Sequence, residues 1–492
     1  MAEHALLSCH SRKELPPLAE GLHRLGWVLH ASGGTAGFLR SLGLPVSPTE
    51  EITGISSILG GRVKTLHPEL HAGILAEGED RLRMIEEGRI VFDMVATDFY
   101  PFHENTDLPG DDPSAVELID VGGPAMARAA AKNYRHVIAA TGGDSFGEVL
   151  AAVAEGRNTL EFRRRMAART FDVTASYDLS VSLKLSEGVS PALRYGENPH
   201  QAARVHFGAR GEGFAAAELL HGDALSYNNY LDAAAAWELV RDLPAGAVVV
   251  VKHGNPCCVA VADRQAEAWD RAFPADRSSP YGGVLAVNTR LGEELVERLR
   301  GVFLELVIAP DFEPEALERL RTRRKLRVLG MPPGRDQCLQ FRSIWGGLLV
   351  QEPDPCASED LDSARVVSAR QPTVAERGAM ELAWRICRMV KSNAMVVCEA
   401  DRALGIGAGQ MSRIESLDLA VRRASAAGLD LHGSALASDG LIPFRDSIDL
   451  ASEAGVTAVI QPGGSLRDDE VLAAADEKGM TMLLTGRRHF RH

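Results

Sequence analysis

The sequence predicts an α/β protein of about three domains, on three observations. Its 492 residues are too many for one core at roughly 150 residues per domain. Its first half alternates short apolar runs with helix-period stretches, which argues for a parallel sheet with helices on both faces. Its last part reads as strand, helix and strand over 456–460, 467–478 and 480–484, one βαβ unit.

Residues 6–8 and 27–30 read as buried strands with a helix between them, and 94–97 and 137–140 are further strands of the same kind. A long helix begins at Asn158, where Asn158 and Glu161 form a capping-box-like pair, and runs to about Leu185. The chain thus divides into a parallel-sheet domain over 1–150 and a helical connector over 151–190. The remaining residues, 191–492, exceed one compact core, and the polar stretch 352–372 reads as an inner hinge between 191–360 and 361–492. Within 191–360, the apolar run 247–251 has strand length. Within 361–492, Thr373 and Glu376 cap a helix whose Met380, Ala383, Ile386 and Val390 fall at helical spacing. No duplication between these last two domains is visible in the residues.

Apolar residues make up 45% and charged residues 24%, as in ordinary soluble globular chains. Lys plus Arg number 53 against 67 Asp plus Glu, a net charge of −14. That balance argues against a nucleic-acid or membrane-surface binder. It leaves room for an anionic small substrate, which needs only a local positive cluster. No apolar run approaches the ~20 residues of a membrane helix, and the first residues lack the regions of a signal peptide. The seven cysteines (9, 257, 258, 338, 356, 387 and 398) are odd in number and contain no Cys-x-x-Cys. They read as reduced thiols of a cytoplasmic protein, not as disulfides or zinc ligands.

Seven segments concentrate chemistry. Ser32-Gly33-Gly34-Thr35 follows a strand and opens a helix. Its glycines let backbone N–H groups approach an anion, its hydroxyls add donors, and a helix N-terminus adds positive potential. A plain strand-to-helix turn would use the same residues. Residues 61–68 gather Arg62, Lys64, Thr65 and His67 behind a Gly-Gly turn, a basic loop that suits an anion or simply solvent. Asp120 stands before Gly122-Gly123-Pro124, with Lys132 along the next helix; the two suit proton transfer or a surface ion pair. Arg194 and Tyr195 open a polar loop over 193–201, fit for recognition or solvation.

Lys252 and His253 end the apolar run just before Gly254-Asn255-Pro256. Strand ends in open α/β sheets bind ligands, and half-burial there would depress both pKa values. This pair is the best catalytic candidate that the residues offer by themselves. Over 405–413, Gln410 occupies the third glycine position of the dinucleotide fingerprint, so a Rossmann reading fails. A close backbone approach to some ligand near Arg413 stays open. The basic tail 485–492, with Arg488, comes after a buried strand and is either frayed or docked where it can bind a phosphate.

In this order the motifs resemble the bifunctional purine-biosynthesis family that joins 5-aminoimidazole-4-carboxamide ribonucleotide (AICAR) formyltransferase to IMP cyclohydrolase. The likeness runs from Leu6 to His492 and is nearly verbatim over 61–67, 128–133, 194–201, 391–394, 405–413 and 460–465. It implies a methylglyoxal-synthase-like parallel-sheet domain, then two cytidine-deaminase-like α/β subdomains, in an intertwined homodimer. It implies formyl transfer from 10-formyltetrahydrofolate to the AICAR amine, then dehydrative ring closure to IMP. Neither step requires a metal or redox cofactor, and no nucleic acid or membrane is a partner.

The resemblance assigns the cyclohydrolase phosphate and ribose contacts to Ser32, Gly33, Gly34, Thr35, Arg62, Lys64 and Thr65. It places the base along Tyr100, Asp120 and Val121 and gives proton transfer to Lys132, with Lys64, Tyr100 and Asp120 also catalytic. In the formyltransferase half it puts AICAR on Arg194 and Tyr195, makes His253 the base and makes Lys252 its electrostatic partner. Gly282, Glu305, Asn393, Arg413 and Arg488 would hold the nucleotide, and Ile414, Pro443, Phe444, Asp446 and Ser465 the folate.

His10, Gly60 and Asp98 depart from the family's usual residues, all in the cyclohydrolase half. They motivate an alternative, a formyltransferase with an impaired cyclohydrolase. A non-catalytic nucleotide sensor is a second alternative, against which the retained Lys252, His253 and Lys132 speak. A zinc deaminase is a third, but residues 256–260 lack the second cysteine of Pro-Cys-x-x-Cys.

Overall fold

Residues that alternate between two buried faces build the first sheet. The computed structural model describes residues 2–102, 108–186, 192–207, 212–332, 339–345, 347–355 and 357–492. In its first unit, Met1–Ser190, the strands are β1 (His4–Ser8), β2 (Val28–Ala31), β3 (Val46–Pro48), β4 (Met94–Thr97) and β5 (Ile138–Thr141). All pair in parallel, in the order β3-β2-β1-β4-β5. Ala5, Leu7, Leu29 and Ala96 face one core, while Leu6, Val95 and Ala139 face the other. That is the period-2 pattern of a sheet covered on both sides. The strand order reverses between β1 and β4, which makes their carboxyl ends the place for a ligand.

The long helix is Leu160–Leu185, and its cap is Thr159 rather than Asn158. The Thr159 hydroxyl accepts from the Phe162 N–H at 3.2 Å, whereas Asn158 Oδ1 accepts from Arg163. Phe162 and Met166 are buried in the first sheet's core. The segment expected to be a connector is therefore packed into the first unit, because its apolar face needs that cover.

The second unit, Pro191–His492, opens on a short hairpin of β6 (Ala192–Leu193) and β7 (Ala203–Arg204). Next comes a six-stranded sheet: β8 (Glu218–His221), β9 (Ala247–Lys252), β10 (Asn255–Val261), β11 (Gly283–Val287), β12 (Leu304–Ala309) and β13 (Arg327–Gly330). Its order is β10-β9-β11-β12-β13-β8. The hairpin strands β14 (Gln340–Ile344) and β15 (Gly347–Gln351) pair with each other. A second six-stranded sheet is built from β16 (Arg365–Val366), β17 (Met395–Cys398), β18 (Ala403–Gly407), β19 (Ala435–Ser438), β20 (Ala458–Gln461) and β21 (Thr481–Leu484). Its order, β18-β17-β19-β20-β21-β16, repeats the first strand for strand, with the same parallel and antiparallel pairings. The fold is thus duplicated, a relation carried by pairing order and not by residues visible in sequence.

One core joins the two sheets. Val249 and Val251 of β9 and Val396 and Cys398 of β17 share it with Trp237 and Trp384 from the helices Tyr227–Arg241 and Val374–Cys387. The expected boundary at 360 falls between strands of the two sheets but across this common core. The stretch 352–372 is not a free hinge: it contains the helix Ser358–Ser363 and β16, and Asp360 is buried. The capping box of Thr373 and Glu376 forms as the sequence predicts. Cys338 and Cys356 lie outside the described residues. Among the described residues, no helix is long and apolar enough to cross a membrane.

Candidate functional site

At the β1/β4 switch of the first unit lies a cavity of about 650 Å³. Three strands deliver residues there at their carboxyl ends: Ser8, Cys9, His10 and Arg12 from β1 and its loop, Ser32, Gly34 and Thr35 after β2, Asp98 and Tyr100 after β4. The loop carrying Arg62, Lys64 and Thr65 and the segment with Asp120 and Val121 close it. Gly33 lies between two lining residues and is the first residue of the helix Gly33–Ser41, with Ser32 as its cap. The β1 and β2 loops are tied by Ser8 Oγ to Ser32 Oγ at 2.9 Å and by the Cys9 N–H to Thr35 Oγ1 at 3.2 Å.

Charge in this cavity is mixed. Arg62 makes a two-pronged bond to Glu117, with Nη2 2.6 Å from Oε2, so an anion must compete for it. Asp120 Oδ1 accepts the Gly123 N–H at 2.9 Å and the Tyr177 hydroxyl accepts the Asp120 N–H at 2.7 Å. Asp98 accepts the backbone N–H groups of His10 and Ser11, so this departure from the family pattern braces the β1 loop. Burial pushes the carboxyls of Asp98 and Asp120 above the usual carboxylate range. The His10 and Tyr100 rings meet edge to face at 5.1 Å. Gly60, another of the three departures, has φ +68°, which suits glycine.

Lys132 stands apart from the place expected for it. It is the exposed last residue of the helix Gly122–Lys132, whose first two residues line the cavity. Lys132 is not among the residues that line the cavity.

The second unit presents Lys252 and His253 at the β9–β10 turn. Lys252 pairs with Asn255, leaving His253 and Gly254 as a two-residue loop with φ of +53° and +72°. Both positive values make it a type I′ turn, matched to the twist of the hairpin. Lys252 is half-buried and its Nζ donates to the Tyr281 carbonyl at 2.7 Å. His253 is exposed, not half-buried as expected, because the tight turn projects it from the sheet. Asp232 Oδ1 accepts the Gly254 N–H at 2.6 Å.

A series of hydrogen bonds runs from this turn to Asn393 and Arg413. Asn255 Oδ1 accepts the Lys391 N–H at 3.0 Å, and the Lys391 carbonyl accepts the Gly409 N–H at 2.8 Å. The Asn393 amide donates to the carbonyls of Gln410 and Met411 at 3.0 and 2.9 Å. Ser392 and Arg413 both bond the buried Asp439. Arg413 and Arg488 stack on the Phe490 ring at 5.6 and 4.6 Å. Gly282 donates its N–H to the Phe303 carbonyl next to the Lys252 partner Tyr281, and Glu305 accepts from Asn229 at 2.8 Å. Arg194 stacks on the Tyr195 ring at 4.8 Å, and the Asn228 amide donates to Glu197 of the same loop.

Of the five residues expected along the folate, Phe444 is exposed under the Arg467 guanidinium at 4.9 Å. This sets Pro443, Phe444 and Asp446 beside the Ser465 loop, whose N–H groups bond Asp468. Ile414 is half-buried in the first turn of the helix Arg413–Ala426. Gly405 and Gly407 serve packing, not a ligand: any side chain there would strike the backbone carbonyls of Ala420 and Ser416. Cys257 and Cys258, on β10, donate to the carbonyls of Val250 on β9 and of Asp276, so they are not poised as ligands. Among the described residues, no group of three His, Cys, Asp or Glu side chains is placed to hold a metal.

Sequence reasoning missed Asp232, Tyr281, Asp439 and Phe490. Asp439 alone left a local signal, a carboxylate placed between the strand β19 and a glycine.

Residues 130–423 match the family model described as AICARFT/IMPCHase bienzyme, and residues 14–125 match the MGS-like domain. The chain is 45% identical to the "Bifunctional purine biosynthesis protein PurH" of Chloroflexus aurantiacus over 511 residues, covering 99% of this chain and 98% of that one. It is 43% identical to the protein of that name from Myxococcus xanthus, covering 99% and 100%. A Synechococcus relative of the same name is 44% identical, with both chains covered in full. Similar from end to end to these bifunctional proteins, the chain belongs to the AICARFT/IMPCHase bienzyme family.

Proposed function

We propose that the two activities of the family are divided between the two units, ring closure in the first and formyl transfer in the second. As a family member the chain is a bifunctional purine-biosynthesis enzyme, AICAR formyltransferase and IMP cyclohydrolase, acting on AICAR and a formyl-folate. The domain ranges that go with this are 1–150 for ring closure, with 151–190 packed against it, and 191–360 and 361–492 for transfer. The folate is 10-formyltetrahydrofolate. The observation that carries the division is that the β1/β4 cavity is lined by first-unit residues alone, while the Lys252–His253 turn belongs to the second unit.

The AICAR amine is a weak nucleophile because its lone pair is delocalised into the ring and carboxamide. Its nitrogen attacks the formyl carbon while His253 takes its proton. Lys252 stabilises the oxyanion, and the bond from carbon to folate nitrogen breaks with protonation of that nitrogen. Asn393, Arg413 and Arg488 hold the nucleotide with Gly282, Glu305, Arg194 and Tyr195, and the 443–446 and 465 loops with Ile414 hold the folate. In ring closure the carboxamide nitrogen attacks the formyl carbon and water leaves. The step is intramolecular, so positioning supplies much of the rate. Asp120, Tyr100 and Lys64 move the protons, and Ser32 to Thr35, Arg62 and Thr65 bind the phosphate and ribose. Neither balance needs a metal or a redox cofactor.

The enzyme is a cytoplasmic homodimer in this reading. The hairpin β14–β15 supports it: Phe341, Ile344, Trp345, Leu348, Leu349 and Val350 are all exposed on a two-stranded ribbon, an apolar area that calls for a partner surface. The reading is tested with purified full chain. AICAR with 10-formyltetrahydrofolate yields formyl-AICAR and IMP, and supplied formyl-AICAR yields IMP without folate. Absence of formyl transfer overturns the formyltransferase assignment, and absence of IMP from formyl-AICAR leaves only that activity.

A further inference from the structure

The C-terminal tail is docked, and one buried histidine docks it. His489 is 2% exposed. Its Nδ1 lies 2.6 Å from Asp354 Oδ2 and its Nε2 lies 2.6 Å from Asp360 Oδ2. Carboxylates only accept, so both ring nitrogens donate, and an imidazole that donates twice is an imidazolium. Burial alone would lower its pKa; the hydrogen bonds and charges of Asp354 and Asp360 outweigh burial and hold it above the ordinary 6.5. Other charged groups beside the clamp are Arg487, 3.0 Å from Asp360 and 3.5 Å from Glu359, and Arg388, which donates to the Asp354 carbonyl. Trp384 donates to Asp360 at 3.3 Å and meets the imidazole edge to face.

The same residue reaches the nucleotide side of the second unit. The His489 N–H donates to the Asp439 carbonyl at 2.9 Å, and the Asp439 carboxylate holds Arg413 at 3.2 Å. Its chain neighbours are Arg488 and Phe490, and Arg413 and Arg488 both stack on the Phe490 ring.

We propose that His489, clamped as an imidazolium between Asp354 and Asp360, is a positioning residue that sets Arg488 and Phe490 against Arg413. It thereby completes the cationic side of the AICAR site. This rests on the assignment of Arg413 and Arg488 to the nucleotide. A neutral imidazole can donate to only one of its two carboxylates, so the clamp loosens as pH rises through the His489 pKa, and the two guanidiniums lose their common ring.

The test is steady-state formyl transfer by the full chain, with ring closure of supplied formyl-AICAR as the internal control. His489→Leu is expected to raise the KM for AICAR by about tenfold or more with kcat changed less than about threefold, and to leave ring closure intact. In the native chain the AICAR KM rises with pH above 6.5, and Asp354→Asn moves that inflection to lower pH because one carboxylate no longer favours the imidazolium. Unchanged KM in His489→Leu, or an inflection indifferent to Asp354→Asn, overturns the proposal. So does an equal loss of kcat accompanied by a lower melting temperature of the second unit, which is the mark of a merely structural residue. If Arg413→Ala also leaves the AICAR KM unchanged, the failure lies in the placement of the nucleotide and not in the clamp.

Discussion

Asp232 Oδ1 accepts the Gly254 N–H at 2.6 Å, and that bond braces the two-residue turn on which His253 stands. The carboxylate reaches the turn from the helix Tyr227–Arg241, so a packed element fixes an otherwise exposed loop tip. Removing the acceptor frees the turn and also takes away a negative charge that acts on His253. Asp232→Ala is expected to lower formyl-transfer kcat/KM by about 10- to 100-fold and to leave ring closure of formyl-AICAR unchanged. Asp232→Asn retains an acceptor and most of the rate. Parallel assays of the two activities check both variants.

His253 is one of two non-glycine residues at positive φ among those described, so a replacement there has to respect the backbone. Asparagine tolerates that region and carries no base. His253→Asn is expected to reduce formyl transfer by about 100-fold or more with an unchanged melting temperature and normal ring closure. Loss of both activities in a folded variant would end the assignment of one reaction to each unit.

Asp120 bears its raised pKa as a cost. A carboxyl whose folded pKa lies above its unfolded value contributes stability below the unfolded pKa and loses it as pH rises through the folded one. At neutral pH the buried charge therefore weakens the first unit. Asp120→Asn keeps an acceptor for the Gly123 N–H and removes that charge. It is expected to hold or raise the unit's melting temperature while slowing ring closure by about 10-fold or more. Thermal scans at pH 7 beside formyl-AICAR assays decide it, and a lower melting temperature with full activity contradicts both halves.

How far the residues alone reached can be seen at particular positions. β4 was legible because Met94 to Thr97 is buried on both faces and so apolar throughout. The Thr373–Glu376 box was legible because a cap is a local pattern. The duplication was not, since it lies in which strands pair and not in any one strand. The cap expected at Asn158 lies at its neighbour Thr159, which offers the same chemistry one residue later. Around the sites, Ser32, Arg62, Lys64 and Asp120 announce themselves through glycine turns and charge, and they do converge on one cavity. Lys132, at the far end of the helix whose first residues line that cavity, is not among its lining residues. Asp232 was invisible because it acts across a long separation on a backbone N–H that no local pattern marks, and Asp439, though it stands between a strand and a glycine, gives no local sign of the distant guanidinium it holds.

The β14–β15 hairpin offers a test of assembly. Phe341 and Val350 stand opposite each other across it and are exposed. Phe341→Ser with Val350→Ser removes apolar area from one face while keeping the ladder. Sedimentation is expected to find a dimer for the native chain and a monomer, or a dimer weakened by about 100-fold or more, for the double variant. A monomeric native chain would remove the homodimer from the reading.

Glu376 links local capping to the stability of the whole second unit. The hydrogen bond from Arg370, at 2.7 Å, is the main cause that holds its carboxyl at about 2, aided by Thr457 and Thr373. Burial opposes this, and the two arginine contacts outweigh it. A carboxyl held below its ordinary 4.5 stabilises the fold above that value and loses the contribution as pH falls toward 2. With Arg370 partly exposed, the contribution at neutral pH is on the order of 2 kcal/mol. Glu376→Gln is therefore expected to destabilise the second unit by about that amount at pH 7, and the gap to the native chain should narrow steadily as the pH is lowered below 4.5. Denaturant melts at several pH values measure the gap directly. A difference that stays constant down to the acid limit would assign the effect to lost packing and not to the charged bridge, because packing does not titrate.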